Sequence, residues 1–324
     1  MGNLVPWLMA VLGHGRVREK SGFSEVKFCN VLSQGGFGAV YSTYDSRRGR
    51  SIAVKLELLK YGKGFCLDLE NEAYLKLAGS CRVPQVYGLK HVVDQEGEEY
   101  LALSMERMGQ SLQDLLTRYR PLSLKTVIQL GIQMLHAIED VHKVGLVHRD
   151  VKPSNFVFGS RAITRDQDLC IIDFGTAAPY VDEETGEHLP LTRTGVVGTI
   201  SLMSIRAHLG AQQSRQDDLI SFFYTLIYLK CTILPWPHSQ VPDPKEQLVK
   251  TFHIKEATSI ETLCSGLPEE FRTLMAEIWG LGFEQEPKYE DYRILLKSCA
   301  TREGMVLDWS YEWSVAKKNI ICLM

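Results

Sequence analysis

The spacing of apolar residues changes period once along this chain, near Gly109, and that single change limits the folds open to it. Upstream, "VKFCNVL", "AVYSTYD" and "SIAVKLELL" are short apolar or alternating runs separated by Gly, Arg and Asp turns, the pattern of β-strands. One window interrupts them. In "LDLENEAYLKLAG", Leu67, Glu70, Tyr74 and Leu77 recur at three- and four-residue steps and a glycine closes the run, which predicts a helix. "EGEEYLALSMERMG" then predicts a last strand ending at Gly109. Downstream, "SLKTVIQLGIQMLHAIEDVHKVG" places Val127, Leu130, Met134, Ile138 and Val141 on one face of a long helix, with Ser123 as its cap. Further helical windows fall at 216–231, 244–253, 268–280 and 288–298. The expectation is an α+β architecture, a small strand-rich lobe over residues 25–106 followed by a larger helical lobe. No internal repeat or low-complexity segment interrupts it.

The chain has 324 residues, 45% of them apolar and 23% charged, enough for one large domain or two packed lobes. A formal net charge of −3 gives no electrostatic reason to expect nucleic acid or an anionic membrane as partner. The cysteines (Cys29, Cys66, Cys81, Cys170, Cys231, Cys264, Cys299, Cys322) stand singly, with no C-x-x-C pair or Cys/His metal spacing. Reduced thiols in an intracellular protein, cytoplasmic or nuclear, are therefore expected. The apolar run in "MGNLVPWLMAVLGHG" is too short to span a bilayer and lacks a basic flank, and Pro6 stands where N-myristoylation requires Ser or Thr. Cys322 is third from the end where prenylation needs the fourth, which leaves it as a free or acylated tail thiol. Membrane association is not expected, and the termini are the one route left open to it.

Three stretches carry chemistry. In "VLSQGGFGAVYSTYD", residues 31–45, a glycine-rich turn between strands lets backbone N–H groups approach a phosphate, because no Cβ stands in the way. An ordinary hairpin with glycines in its bulge explains that stretch equally well when it is taken alone. Lys55 in "IAVKLE" lies on the next strand, 15 residues before Glu70 on the helix. Paired with that glutamate, it can present its ammonium to nucleotide phosphates. Glu72 competes for the lysine but lies about 200° around the helix from Glu70, and Glu70 shares the inward face of Tyr74 and Leu77. The third stretch, "HRDVKPSNF" at 148–156 with "IIDFG" at 171–175, has what phosphoryl transfer requires. Asp150 can accept a hydroxyl proton and Lys152 can meet the transferred phosphate. Asn155 and Asp173 supply hard oxygen ligands for Mg²⁺.

Over Val26 to Trp313 the chain resembles the protein kinase superfamily, and within it the casein kinase 1 group. "HRDVKPSNF", "SIRAHLG" where most kinases have Ala-Pro-Glu, "SRQDDLISFFYTLIYL", "LPWP" and "IETLCSGLPEEF" carry the resemblance. It implies a bilobal kinase fold: an N-terminal extension at 1–24, an N-lobe and hinge at 25–108, a C-lobe at 109–313 and a short tail at 314–324. It implies ATP and Mg²⁺ as cofactors, Ser/Thr residues of proteins as acceptors, and a monomer. By the same resemblance Ser33, Gly35, Gly36, Phe37 and Gly38 form the phosphate loop, and Val40, Ala53, Val157 and Ile172 sandwich adenine. Met105 is the gatekeeper, Glu106 to Met108 form the hinge, and Asp218 braces the loop that carries Asp150. Lys152, two residues after Asp150, is the serine/threonine-type residue.

Two departures bear on function. Ser33 replaces the first glycine of the phosphate loop; alone it does not argue against catalysis, since Lys55, Asp150, Asn155 and Asp173 are all present, but with Ser201 and the acidic activation segment it raises the alternative of a kinase-like scaffold with weak or no catalytic activity. In the family an arginine follows the Gly-Thr of the activation segment by two positions, and Ser201 and Leu202 stand where arginine and tyrosine are usual. Thr199, Ser201 and Lys250 are then the expected substrate and anion site, weakened because serine cannot bind phosphate bidentately. Asp182, Glu183, Glu184 and Glu187 crowd a segment that is basic in typical members. They either repel acidic substrates or form a solvated turn facing away. The expectation is a weaker preference for acidic or phosphate-primed sites than the group shows.

Overall fold

Alternation along the strands decides where the two halves of the core lie. A computed structural model describes residues 16–19, 25–35, 38–59, 66–159, 167–236 and 243–314. In the N-terminal half, β1 (Arg16–Glu19), β2 (Glu25–Gly35), β3 (Gly38–Asp45), β4 (Arg50–Leu58), β5 (Val86–Val93) and β6 (Glu99–Glu106) form one antiparallel sheet. Its order is β1-β2-β3-β4-β6-β5, and it closes because β1 pairs with both β2 and β5. Successive side chains point to opposite faces. Ile52, Val54 and Leu56 of β4 join Tyr100 and Ala102 of β6 in a core inside the sheet. Ala53 of β4 and Leu101, Leu103 and Met105 of β6 face the other way, into the main core. Lys55 shares the parity of Ala53 and is thereby aimed at the helical side.

Helix α1 (Cys66–Lys76) lies on that side and buries Leu67, Glu70, Ala73 and Tyr74, the face expected from their spacing. Two strands escape the sequence pattern, β1, which falls within residues 1–24, and β5, whose burial does not alternate. β6 stops at Glu106 rather than at Gly109, because the chain there leaves the sheet and the Gly109 N–H donates to Phe158 O at 2.8 Å in the helical half.

That half is built on α3 (Leu124–Lys143), preceded by a short α2 (Leu112–Tyr119). Ser123 caps α3 by accepting from the Thr126 N–H, and Val127, Leu130, Met134, Ile138 and Val141 are all buried. Helices α4 (Ile205–His208), α5 (Arg215–Cys231), α6 (Pro244–Ala257), α7 (Ile260–Leu263), α8 (Glu269–Trp279) and α9 (Tyr289–Arg302) complete it. Gly131 marks the crossing of α3 with α5 and α9, since a Cβ there would lie 3.1 Å from Leu296 and 3.2 Å from Leu226. Two small antiparallel ribbons carry the loops of interest. β7 (Leu146–Val147) pairs with β10 (Ala178–Pro179), and β8 (Phe156–Phe158) with β9 (Leu169–Ile171). Tyr311 and Trp313 stack on each other at 4.8 Å and pack edge-on against Phe158. Glu312 beside them accepts from the Ser123 N–H and the Thr126 hydroxyl.

The fold is thus the strand-rich N-terminal lobe and helical C-terminal lobe expected from the change of period. None of the described helices is long and apolar enough to cross a membrane. The apolar N-terminal run and Cys322 lie outside the described residues.

Candidate active site

Between the lobes lies a cavity of about 780 Å³, within the roughly 300–1,000 Å³ span of small-molecule sites. Ser33, Gly38, Val40, Ala53 and Lys55 form its roof, and Met105, Glu106 and Met108 its back. Val157 and Ile172 form the floor, and Glu70, Lys152, Asn155 and Asp173 lie at the inner end. The N-terminus of α2 adds Ser111 and Asp114 at the rim, where each side chain bonds the other's backbone N–H. Sequence reasoning missed this pair, although Ser-x-x-Asp is a helix-start signal.

Gly35 pairs with Gly38 at the end of the β2–β3 hairpin, and Gly36 and Phe37 lie outside the described residues. Gly38 has φ +132°, and a Cβ there would sit 2.1 Å from Leu56 O, so no other residue fits. Ser33 pairs with Val40 in the ladder. It is not among the described non-glycine residues of positive φ, so serine costs no backbone strain at this position.

Lys55 Nζ donates to Glu70 Oε2 at 2.6 Å and to Asp173 Oδ1 at 2.7 Å. Burial lowers its pKa, but the two carboxylates outweigh that and hold it above the ordinary lysine value. The carboxylates then part company. Glu70, with a side chain 1% exposed, is pushed up to about 6 by burial against the pull of Lys55. Burial also opposes ionisation of Asp173, but its side chain is 35% exposed, and Lys55 keeps it below the usual carboxylate range. Asp173 has φ +68°, a left-handed conformation that its neighbours must hold. Its N–H donates to the Tyr74 hydroxyl at 3.3 Å, and Phe174 packs edge-on to the Tyr74 ring at 4.9 Å.

Across the cleft, Asp150 Oδ1 accepts from the Thr199 hydroxyl and Oδ2 from Lys152 Nζ, both at 2.6 Å. Asn155 Nδ2 donates to Asp150 O at 2.9 Å, which leaves its own side-chain oxygen for another partner. Asn155 Nδ2 also lies 3.5 Å from Asp150 Oδ2, so Oδ1, with Thr199 as its one donor, keeps a lone pair for an incoming hydroxyl. Asn155 and Asp173 offer two oxygens rather than a cage, the donor set of a magnesium ion completed by substrate phosphates.

The loop bearing Asp150 is held from beneath by buried Asp218. Oδ2 accepts from His148 N at 2.6 Å and Oδ1 from Arg149 N at 2.8 Å, which fixes Arg149 at φ +66°. His142 Nε2 donates to the same carboxylate at 3.0 Å, while His142 Nδ1 accepts from the Tyr289 hydroxyl. Burial lowers the His142 pKa, so a neutral ring with its proton on Nε2 satisfies both contacts. Burial would raise Asp218, but the two histidines hold it below its ordinary value. The brace role expected for Asp218 has matching geometry; His142 and Tyr289 are partners that the sequence reading did not name.

The expected substrate and anion site is not assembled from Thr199, Ser201 and Lys250. Thr199 is engaged with Asp150 and Lys152. Ser201 is buried, 2% exposed, and its carbonyl accepts from Trp236 Nε1 at 2.7 Å. The Lys250 side chain is 55% exposed and pairs with Glu246 one turn away on α6. The cation that does reach the Ser201 backbone region is Lys255. Of the acidic stretch, Asp182 is taken up in its own turn, accepting from the Glu184 and Thr185 N–H groups at 3.0 and 2.9 Å. Glu183 pairs with Lys76 at the end of α1. Both bonds fit the solvated-turn alternative better than a substrate-facing one.

Among known families, a model described as the protein kinase domain matches residues 26–290.

Two outcomes are expected from this geometry. Asp218→Asn places an amide against three N–H donors and should lower stability by about 3 kcal/mol, measured by denaturant titration. As pH falls through about 6, Glu70 takes up a proton and Lys55 is left to Asp173. The affinity for a fluorescent ATP analogue should then drop in the wild-type protein. Glu70→Gln should bind weakly throughout and lack the drop, which separates Glu70 from titration of the nucleotide itself.

Proposed function

Because the chain belongs to the protein kinase family, we propose that it is an ATP- and Mg²⁺-dependent serine/threonine protein kinase of the casein kinase 1 type. It transfers the γ-phosphoryl group to protein hydroxyls with a weakened preference for acidic or primed sites. The observation that carries this reading is that Lys55, Glu70 and Asp173 line one cavity together with Lys152 and Asn155, and that Lys152 and Thr199 both bond the Asp150 carboxylate beside it.

In that reaction ATP would supply the phosphoryl group, and Asn155 and Asp173 are the residues that would hold a magnesium ion, which would spread the phosphate charge. The chain's own part is positioning. Lys55, kept protonated by its two carboxylates, meets the phosphates, and the glycine hairpin covers them. Asp150 accepts a hydrogen bond from the incoming hydroxyl and takes its proton as the new bond to phosphorus forms. Lys152 meets the charge on the group in transit. Serine/threonine type rests on Lys152 and Thr199, and the casein kinase 1 type on "SIRAHLG", "QDDL" and "LPWP". The ordinary backbone of Ser33 and the intact ion pairs favour catalysis over the scaffold alternative. The cysteines Cys29, Cys66, Cys81, Cys170, Cys231, Cys264 and Cys299 are free thiols, which supports the intracellular setting we propose.

Incubation with radiolabelled ATP, magnesium and a mixed peptide library should label serine and threonine peptides. Asp150→Asn should lower the rate by about a hundredfold or more. Absence of labelling by wild-type protein that binds nucleotide would favour the scaffold. In a positional peptide library, phosphoserine or Asp upstream of the acceptor should be selected only weakly, because Ser201 is buried and Lys250 is paired with Glu246. Strong selection there would refute the weakened preference.

A further inference from the structure

Thr199 opens a single helical turn: its carbonyl accepts from the Leu202 and Met203 N–H groups, both at 2.8 Å. The last carbonyls of any such turn lack partners of their own. Here they are taken by side chains from distant parts of the chain. Trp236 Nε1 donates to Ser201 O at 2.7 Å. Lys255 Nζ, from α6, donates to Ile200 O at 2.9 Å and to Met203 O at 2.6 Å. Lys255 is 1% exposed. Its ammonium lies 5.1 Å from the ring centroids of both Tyr224 and Trp236 and 3.2 Å from His208 Nε2.

A buried lysine normally has a carboxylate beside it. No acidic side chain among the described residues acts on Lys255, and burial drives its pKa well down. Its polar partners are instead carbonyl oxygens of a turn, with two aromatic faces beside them, and both backbone bonds are made by its N–H donors. Burial, with Lys255 beside it, also lowers the His208 pKa to about 4, so His208 meets Lys255 as a neutral ring. A methionine of similar length would fill the space without that cost. The lysine's distinctive contribution is therefore its donors, and both of its backbone acceptors belong to the turn that begins at Thr199.

We propose that Lys255 is a positioning residue: its N–H donors, with the indole of Trp236, fix the 199–203 turn so that the Thr199 hydroxyl stays on Asp150 and beside Lys152. The acceptor-orienting carboxylate is thus held, through that turn, by a side chain that touches no reacting atom. This inference rests on the kinase reading for its catalytic consequence, but not for its geometry.

The test has two arms. Lys255→Met removes the donors and keeps the side-chain length. Amide hydrogen exchange at Leu202 and Met203 should quicken about tenfold or more, as expected for losing a hydrogen bond's worth of local stability, while Val54 and Leu103 in the sheet keep their rates. In steady-state kinetics kcat for a serine peptide should fall by about a hundredfold, with KM for ATP nearly unchanged. Trp236→Phe keeps a ring over Lys255 and loses one donor; it should show the same pattern on a smaller scale, and it serves if Lys255→Met does not fold. Unchanged exchange at Leu202 and Met203, exchange that quickens equally across the whole protein, or altered exchange with unaltered kcat would each overturn the proposal. Should wild-type protein transfer no phosphate, the kinase reading fails, and the exchange arm alone decides whether Lys255 holds the turn.

Discussion

Three charges held in one cluster, buried Lys55 and Glu70 with half-buried Asp173, are the constraint on which the rest of this structure depends. They come from a strand, a helix and a loop of the other lobe, so satisfying them fixes three elements at once. Such a cluster is weak evidence for stability, because desolvation offsets much of the attraction. Its value here is geometric. Two carboxylates share one ammonium, which leaves one negative charge to be placed. Burial separates the two: Glu70, the more enclosed, is the easier to protonate, and Asp173 is held below the usual carboxylate range. Asp173 is also the carboxylate that opens to the cavity, where phosphates with their metal would enter.

Holding Asp173 there requires a left-handed backbone, and Arg149 beside Asp150 requires another. Each costs of order 1–3 kcal/mol and persists only where neighbours over-determine it. For Asp173 the neighbours are Tyr74 and Lys55, both on or against α1. For Arg149 the neighbour is Asp218, whose carboxylate takes the two consecutive N–H groups of the loop. His142 and Tyr289 extend that network to α9, more than a hundred residues away in sequence. The strained residues flank the reacting centre, and the bonds that hold them are buried beneath it.

How much of this was legible in the sequence follows from whether a feature is local. The inward face of α1, the cap and buried stripe of α3, and the pairing of Lys55 with Glu70 rather than Glu72 all follow from helical period and strand parity. β1 and β5 were not legible, because their place depends on pairing with distant strands and β5 does not alternate. The end of β6 was set by a bond to Phe158 in the other lobe. Lys250, expected at the anion site, lies on the outer side of its helix for a related reason. α6 has no apolar stripe to reveal its inner face, which is formed by Thr251 and Lys255. Lys250 precedes Thr251 by one residue and so points about 100° away. A buried lysine is improbable from sequence, and only the carbonyls of a segment some fifty residues upstream make it acceptable.

The same burial explains why the departure at Ser201 is more than a missing charge. Met203, Lys255 and Trp236 enclose the turn, and both Ser201 and Leu202 are covered. An arginine at 201 would have to leave a closed environment in which Lys255 is already buried, with no acidic side chain described beside that lysine to offset a charge. Anchoring this turn through its carbonyls and reading a substrate phosphate through its side chains are thus competing uses of the same residues. In this chain the anchoring contacts occupy the turn. Ser204 adds to them at the start of α4, where it accepts from the Ala207 N–H and donates to Asp217, the neighbour of Asp218. The two adjacent aspartates of α5 therefore hold the two sides of the cleft floor, one through the Asp150 loop and one through the end of the activation segment.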